Sequence, residues 1–176
     1  MRSLEFGELR IPIASIRQGI CDFTIQTVHP ELQIGMPGEK PHEADVRVHV
    51  TPMGENFLAE LSVTNKGCFV CDRCGDPVLQ TVKGHVKTLF VSAAAGGMTE
   101  ESEEIRLLPA EAQFIDILQD AVDALLLAVP FKILCRESCA GLCPHCGKNL
   151  NDGPCSCPDV PSDSRWDALK NIKFED

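Results

Sequence analysis

The sequence predicts an α+β fold: an antiparallel meander carrying one packed helix, followed by a cysteine-rich tail. Three patterns predict it. Apolar residues alternate with polar ones in three stretches between Asp45 and Phe90. A single apolar stripe at helical spacing runs from Leu118 to Val129. Beyond Pro130 the chain turns rich in cysteine and turn residues and poor in large apolar side chains, so it cannot build a core of its own.

The strands come first. Val46, Val48 and Val50 alternate with Arg47 and His49, the pattern of a half-buried strand. Residues 51–56 read as a turn, and Ala59, Leu61 and Val63 share one face of a second strand. A third strand begins after Pro77, with Val78, Val82, Val86 and Phe90 on one parity. Upstream, residues 9–16 are expected to start as an edge strand, because Pro12 cannot donate to a central ladder. Residues 17–43, broken by three prolines and three glycines, suggest no firm element.

Residues 92–104 are small and acidic without periodicity, which predicts a flexible loop. A helix is expected next, with Asp116 as its cap and Gln119 closing a capping box. Leu118, Ala121, Val122, Leu125, Leu126 and Val129 form its apolar stripe, and Pro130 ends it. The organisation expected is a β-rich domain over residues 1–130, with the acidic loop and the helix, and a metal-binding tail over 131–176. A short amphipathic helix built on Trp166, Leu169 and Ile172 would close that tail.

No stretch approaches the roughly 18 consecutive apolar residues of a membrane span. The first eight residues hold acids where a secretion signal would hold an apolar run, so a cytoplasmic location is expected. The 176-residue chain carries 16 basic and 26 acidic residues, a formal net charge of −10. Residues 92–130 account for most of the excess, with one base and eight acids. A broad basic footprint of the kind direct duplex binders use is absent.

Ten cysteines in a cytoplasmic chain read as metal ligands more readily than as disulfides. The tail places them at 135, 139, 143, 146, 155 and 157. Two residues between cysteines let both sulfurs reach one ion from a tight turn, and zinc takes four such soft ligands in a tetrahedron. Cys143-Pro-His-Cys146-Gly147 has this form, with the glycine free to fold beneath the metal. Cys155 and Cys157 are the favoured second pair, because the shorter loop costs less closure entropy. Cys135 and Cys139 are the competing pair. A second knuckle, Cys71-Asp-Arg-Cys74-Gly75, sits between two strands, and with Cys135 and Cys139 it could complete a second site. Cys21 and Cys68 would remain as spare thiols.

A thiol redox role fits poorly, since a strand rather than a helix follows Cys74. A catalytic zinc would want an open position and a general base, and His145 has no acidic partner motif beside it. The chain is therefore expected not to be an enzyme.

Several of these stretches resemble the YceD family, the large ribosomal RNA subunit accumulation proteins. They are Cys71-Asp-Arg-Cys74, the helix end Leu125-Leu-Leu-Ala-Val-Pro130, and Cys139-Ala-Gly-Leu-Cys143-Pro-His-Cys146-Gly-Lys-Asn-Leu-Asn151 with Cys155-Ser-Cys157. Ser164-Arg165-Trp166-Asp-Ala-Leu169 is similar to the family's closing motif. The resemblance implies a part in producing or stabilising large-subunit (23S) ribosomal RNA, with no catalytic activity. Expected partners are a ribosomal protein or a large-subunit RNA precursor, with no membrane and no small-molecule substrate. A zinc-stapled interaction module of another complex, such as one in transcription, is the alternative.

Overall fold

The computed structural model describes residues 9–19, 21–93 and 105–158. The first elements among the described residues are strand β1 (Arg10–Pro12) and a short helix α1 (Ile13–Arg17). Strands β2 (Asp22–Thr27), β3 (Ala44–Met53), β4 (Asn56–Val70) and β5 (Pro77–Ser92) follow. After them come β6 (Ile105–Leu108), β7 (Phe114–Asp116) and helix α2 (Leu118–Ala128). Five strands make one sheet in the order β2-β3-β4-β5-β6, and β1 pairs with β7 in a second, two-stranded sheet.

The meander expected from the alternation is present, with β2 to β5 antiparallel in sequence order. Strand β6 joins it in parallel at one edge. One face of the sheet is the core face. Phe23, Ile25, Val46, Val48, Val50, Ala59, Leu61, Val63 and Val82 are all buried on it, while Thr24, Arg47, Ser62 and His85 point the other way. This is the half-covered sheet that strict alternation predicts.

Several local readings are corrected. The edge strand expected over 9–16 is confined to Arg10–Pro12, and Ile13 to Arg17 turn into α1, which buries Ile13 and Ile16. A complete strand, β2, lies inside the 17–43 stretch that suggested no element. Residues 51–56 are mostly strand: Pro52 pairs with Phe57, and only Gly54 and Glu55 make the turn. The capping box does not form. Ile117 occupies the cap position, Asp116 Oδ1 accepts from Leu118 N at 3.1 Å, and Gln119 donates to Asp123 instead. The apolar stripe is rotated, since Leu126 is exposed while Asp120 and Ala124 are buried. Residues 94–104, most of the expected acidic loop, lie outside the described residues. So does the expected helix around Trp166.

Asp120 explains the rotation. Thr88 donates to its Oδ1 at 2.8 Å, and Arg106 lies 3.6 Å from the same oxygen. Burial pushes its carboxyl above the usual carboxylate range, against the pull of the Thr88 hydroxyl and Arg106. Asn65 plays a similar part below the sheet. Its amide donates to Leu32 O at 2.7 Å and so holds the 3-10 turn Pro30–Leu32 against the core.

Two features of the sheet and its helix position the cysteine-rich segment. Strand β3 stops pairing with β4 at Asp45↔Thr64, whereas β4 and β5 pair on to Val70↔Pro77. The β4–β5 hairpin is therefore an arm that projects past its neighbour. Helix α2 then runs back along β5 toward the tip of that arm, with Asp120 against Thr88 and Ala124 against Gly84. The approach at Gly84 is so close that a Cβ there would meet Ala124 O at 2.1 Å. Gly84→Ala is expected to lift α2 from β5 and lower stability by about 1–3 kcal/mol, the usual cost of overpacking. Urea unfolding monitored by far-UV circular dichroism checks this, and an unchanged midpoint would show that the helix has room to yield.

Candidate metal centre

At the tip of the arm, residues 71–76 reverse the chain between β4 and β5. Cys71 N donates to Asp76 O at 2.9 Å, and Gly75 N donates to Cys71 O at 2.9 Å. The same two bonds recur in the tail: Cys143 N to Lys148 O at 2.8 Å and Gly147 N to Cys143 O at 2.9 Å. Gly75 and Gly147 have φ values of 76° and 71°, where a side chain would be strained. The two Cys-x-x-Cys-Gly segments are thus one turn design used twice.

Each turn faces a second pair of cysteines. Helix α2 ends at Ala128, Val129 is extended ahead of Pro130, and the chain passes along the arm tip. Asp72 N donates to Ile133 O at 2.8 Å and Ile133 N to Asp72 Oδ2 at 2.6 Å. Arg73 Nη1 donates to Cys139 O at 2.9 Å, and Leu142 N donates to Arg73 O at 3.1 Å. These bonds bring Cys135 and Cys139 over Cys71 and Cys74. Cys155 and Cys157 return to Cys143 and Cys146 after the 3-10 turn Leu150–Asp152.

Two groups of four sulfurs result: Cys71, Cys74, Cys135 and Cys139, and Cys143, Cys146, Cys155 and Cys157. Within each group all ligand atoms lie within 4.8 Å of one another. Cys71 and Cys139 sulfurs are 3.9 Å apart, those of Cys74 and Cys135 3.7 Å, and those of Cys143 and Cys155 3.4 Å. A tetrahedral thiolate site with metal–sulfur bonds of about 2.3 Å spaces its sulfurs about 3.8 Å apart. A disulfide needs about 2 Å. The spacing fits a shared ion, and either group could hold a metal. Cys21 and Cys68 stand outside both.

The electrostatics suit thiolates. Although burial works against it, Cys71 is held down to about 6 by the backbone amides of Cys135, Cys74 and Arg73. The amides of Cys146 and His145 and the Cys155 thiol bring Cys143 down to about 6. Cys157 is pushed up to about 12, first by its neighbour Cys146 and then by burial. The first group so holds two favoured thiolates, Cys71 and Cys139, the latter held down first by the Asn151 side chain, and the second group holds one, Cys143. The first group is the better covered, with Cys71, Cys74 and Cys139 buried against Val78 and Leu134. In the second only Cys143 is buried.

A match to the family model described as large ribosomal RNA subunit accumulation protein YceD covers residues 60–173. The chain belongs to this family. That segment starts within β4 and includes all eight cysteines of the two groups. Curated relatives are uncharacterised proteins of Mycobacterium tuberculosis and Mycobacterium bovis, each 32% identical over 133 residues. That alignment takes in 73% of this chain and 63% of the relative, so the chain spans less than two thirds of the relatives it matches. A Mycobacterium leprae protein, also uncharacterised, is 31% identical over 62% of this chain and 49% of its own length. No solved structure matches the chain significantly. The family takes its name from accumulation of large-subunit ribosomal RNA. No helix among the described residues is long and apolar enough to cross a membrane.

Residues that the cysteine spacing did not single out also belong to the site. Asp76, Asn149 and Asn151 reach the sulfurs or each other through side-chain hydrogen bonds. The only trace of them in the sequence is two asparagines at i and i+2 in the loop between Cys146 and Cys155, a common turn pattern.

Metal affinity at both groups should rise with pH above about 6, where Cys71 and Cys143 ionise, because a metal must displace protons from the remaining thiols. Calorimetric titration in buffers of different ionisation enthalpy reads the protons released. Binding that releases none at neutral pH would contradict the thiol assignment.

Proposed function

We propose that both cysteine groups hold zinc and that the protein is a non-enzymatic factor supporting accumulation of large-subunit ribosomal RNA. The family match carries the second half of this reading. The donor set supports the first, since four thiolates at tetrahedral spacing suit zinc and leave no open position for catalysis. Cys143, Cys146, Cys155 and Cys157 would hold one ion and Cys71, Cys74, Cys135 and Cys139 the other. What such ions supply is rigidity: they fix the tail's surface against the sheet.

The partner we infer is a basic ribosomal protein rather than bare RNA. A chain of net charge −10, with eight acids against one base over residues 92–130, repels phosphate and attracts lysine- and arginine-rich chains. The near-neutral tail, with Lys132, Arg136, Lys148, Arg165, Lys170 and Lys173, is the region suited to touching RNA as well.

Protein purified without chelator is expected to carry two zinc ions per chain by elemental analysis. Cys143→Ser should remove one and Cys71→Ser the other. Stripping the metal should expose the amides of residues 135–158 to hydrogen exchange while sparing the sheet. Absence of zinc would sink the metal half of the proposal.

Loss of the protein from cells should lower the ratio of mature large-subunit to small-subunit RNA, read from total RNA under fast growth. An unchanged ratio would remove the ribosomal half. Neutralising the glutamates at 100, 101, 103 and 104 should weaken capture of a basic ribosomal protein. Neutralising the six tail bases should instead flatten the salt dependence of any RNA contact. Tight, salt-sensitive binding to naked RNA with no ribosomal protein recovered would reverse the choice of partner.

A further inference from the structure

The strap between Cys146 and Cys155 belongs by its ends to the second sulfur group and by its middle to the first. Its two end residues are ligand positions of the second group. In its middle, Asn151 Nδ2 donates to Cys139 Sγ at 3.3 Å, and Asn149 Nδ2 donates to Asp76 Oδ2 at 2.9 Å. Asp76 in turn accepts from the Cys74 thiol at 3.2 Å. Leu150 N donates to Gly141 O at 2.8 Å, which lays the strap against the segment beyond Cys139.

We propose that the two metal sites are coupled through Asn151, a positioning residue for Cys139, so that filling either site strengthens the other. The proposal rests on the reading of both groups as metal sites.

The orientation of the Asn151 amide is set by its partners. Its Oδ1 accepts from Arg136 Nη2 at 2.7 Å and from Ala140 N at 2.9 Å. A guanidinium and a backbone N–H can only donate, so the oxygen must face them and the amide nitrogen must face the sulfur. That nitrogen also donates to Asn149 Oδ1 at 2.8 Å, which fixes its second hydrogen. The donor to Cys139 is therefore preset. It steadies the charge of the thiolate and the direction of its lone pair toward the ion. Outer hydrogen bonds of this kind are typically worth about 10–100-fold in metal affinity.

The coupling comes from where the strap is anchored. With an ion in the second site, Cys146 and Cys155 are pinned together and the strap is ordered before it meets Cys139. With that site empty, the first site must order the strap as part of its own binding. Linkage makes the effect reciprocal: an ion on Cys139 stabilises the strap and so gathers the ligands of the second site.

The test is zinc release from the full chain under increasing competition by a chromophoric chelator. The intact protein is expected to lose both ions in one cooperative step. Asn151→Asp keeps the oxygen for Arg136 and Ala140 but removes the donor to sulfur. It should weaken the first site at least tenfold and split release into two steps. Removing the second site with Cys155→Ser and Cys157→Ser should weaken the first site by a comparable factor. Adding Asn151→Asp to that background should then change little, because the link is already cut. In the cobalt-substituted protein at saturation, Asn151→Asp should shift the thiolate-to-cobalt charge-transfer band of the first site, which a purely structural role would leave in place. Two ions released independently from the intact protein, fully additive variants or an unshifted band would each overturn the proposal and leave the metal reading standing. A chain that binds no metal at all would overturn both.

Discussion

Between α2 and Pro158 the described chain buries almost nothing apolar, and it must be tied down from outside. Between Phe131 and Pro158 the buried residues are Cys139, Gly141 and Cys143, and Phe131 itself is fully exposed. Hydrophobic burial cannot order such a segment against a backbone cost of about 1–2 kcal/mol per residue. A structural zinc site can, since its apparent binding free energy is about 10–16 kcal/mol at neutral pH and is realised only in the folded state. Under the proposed metal reading, the meeting of Cys135 and Cys139 with Cys71 and Cys74 is the tie on which the tail depends. The upstream domain supplies half of it.

Much of that domain can be understood as a device for presenting the arm tip. Strands β4 and β5 outlast β3, so the turn at 71–76 stands clear of the sheet. Gly84 lets α2 lie directly on β5, and the direction of α2 delivers residues 131–139 to the tip. The buried Asp120 fixes the rotation of the helix through Thr88 and Arg106. An apolar residue in its place would pack more cheaply but would lose the Thr88 and Arg106 contacts that favour this rotation.

The alternation of valines, the turn glycines and the helical stripe were legible because each is a local pattern with one physical cause. What was not legible depends on distant partners. Strand β2 reads as Asp-Phe-Thr-Ile-Gln-Thr, a clear alternation, but it sits among prolines and glycines that suggest irregular structure. Pairing with β3 decides in its favour. Asp116 looked like a helix cap because nothing in the local sequence shows that it pairs with Arg10 across β1 and β7. Burial of Asp120 rather than Leu126 is likewise set by Thr88, which lies 32 residues away. At the site, the knuckles were visible from spacing alone, whereas Asn149 and Asn151 became visible only once the strap was folded.

The pairing of cysteine sets shows why chain separation is a weak guide. Closing a loop of 60 residues rather than 10 costs only about 1.6 kcal/mol more in a flexible chain, since the entropy grows with the logarithm of length. That difference is small against the binding free energy of an ion. It shrinks further here, because β5 and α2 have already brought the two halves of the first group together. Local closure therefore favours Cys155 and Cys157 for the Cys143–Cys146 knuckle but gives no reason for Cys71 and Cys74 to stay unpartnered. Each Cys-x-x-Cys-Gly turn offers two sulfurs and needs two more, and the tail holds four beyond its own knuckle. Two turns of one design, each facing one remaining pair, bring every tail sulfur into one of the two groups.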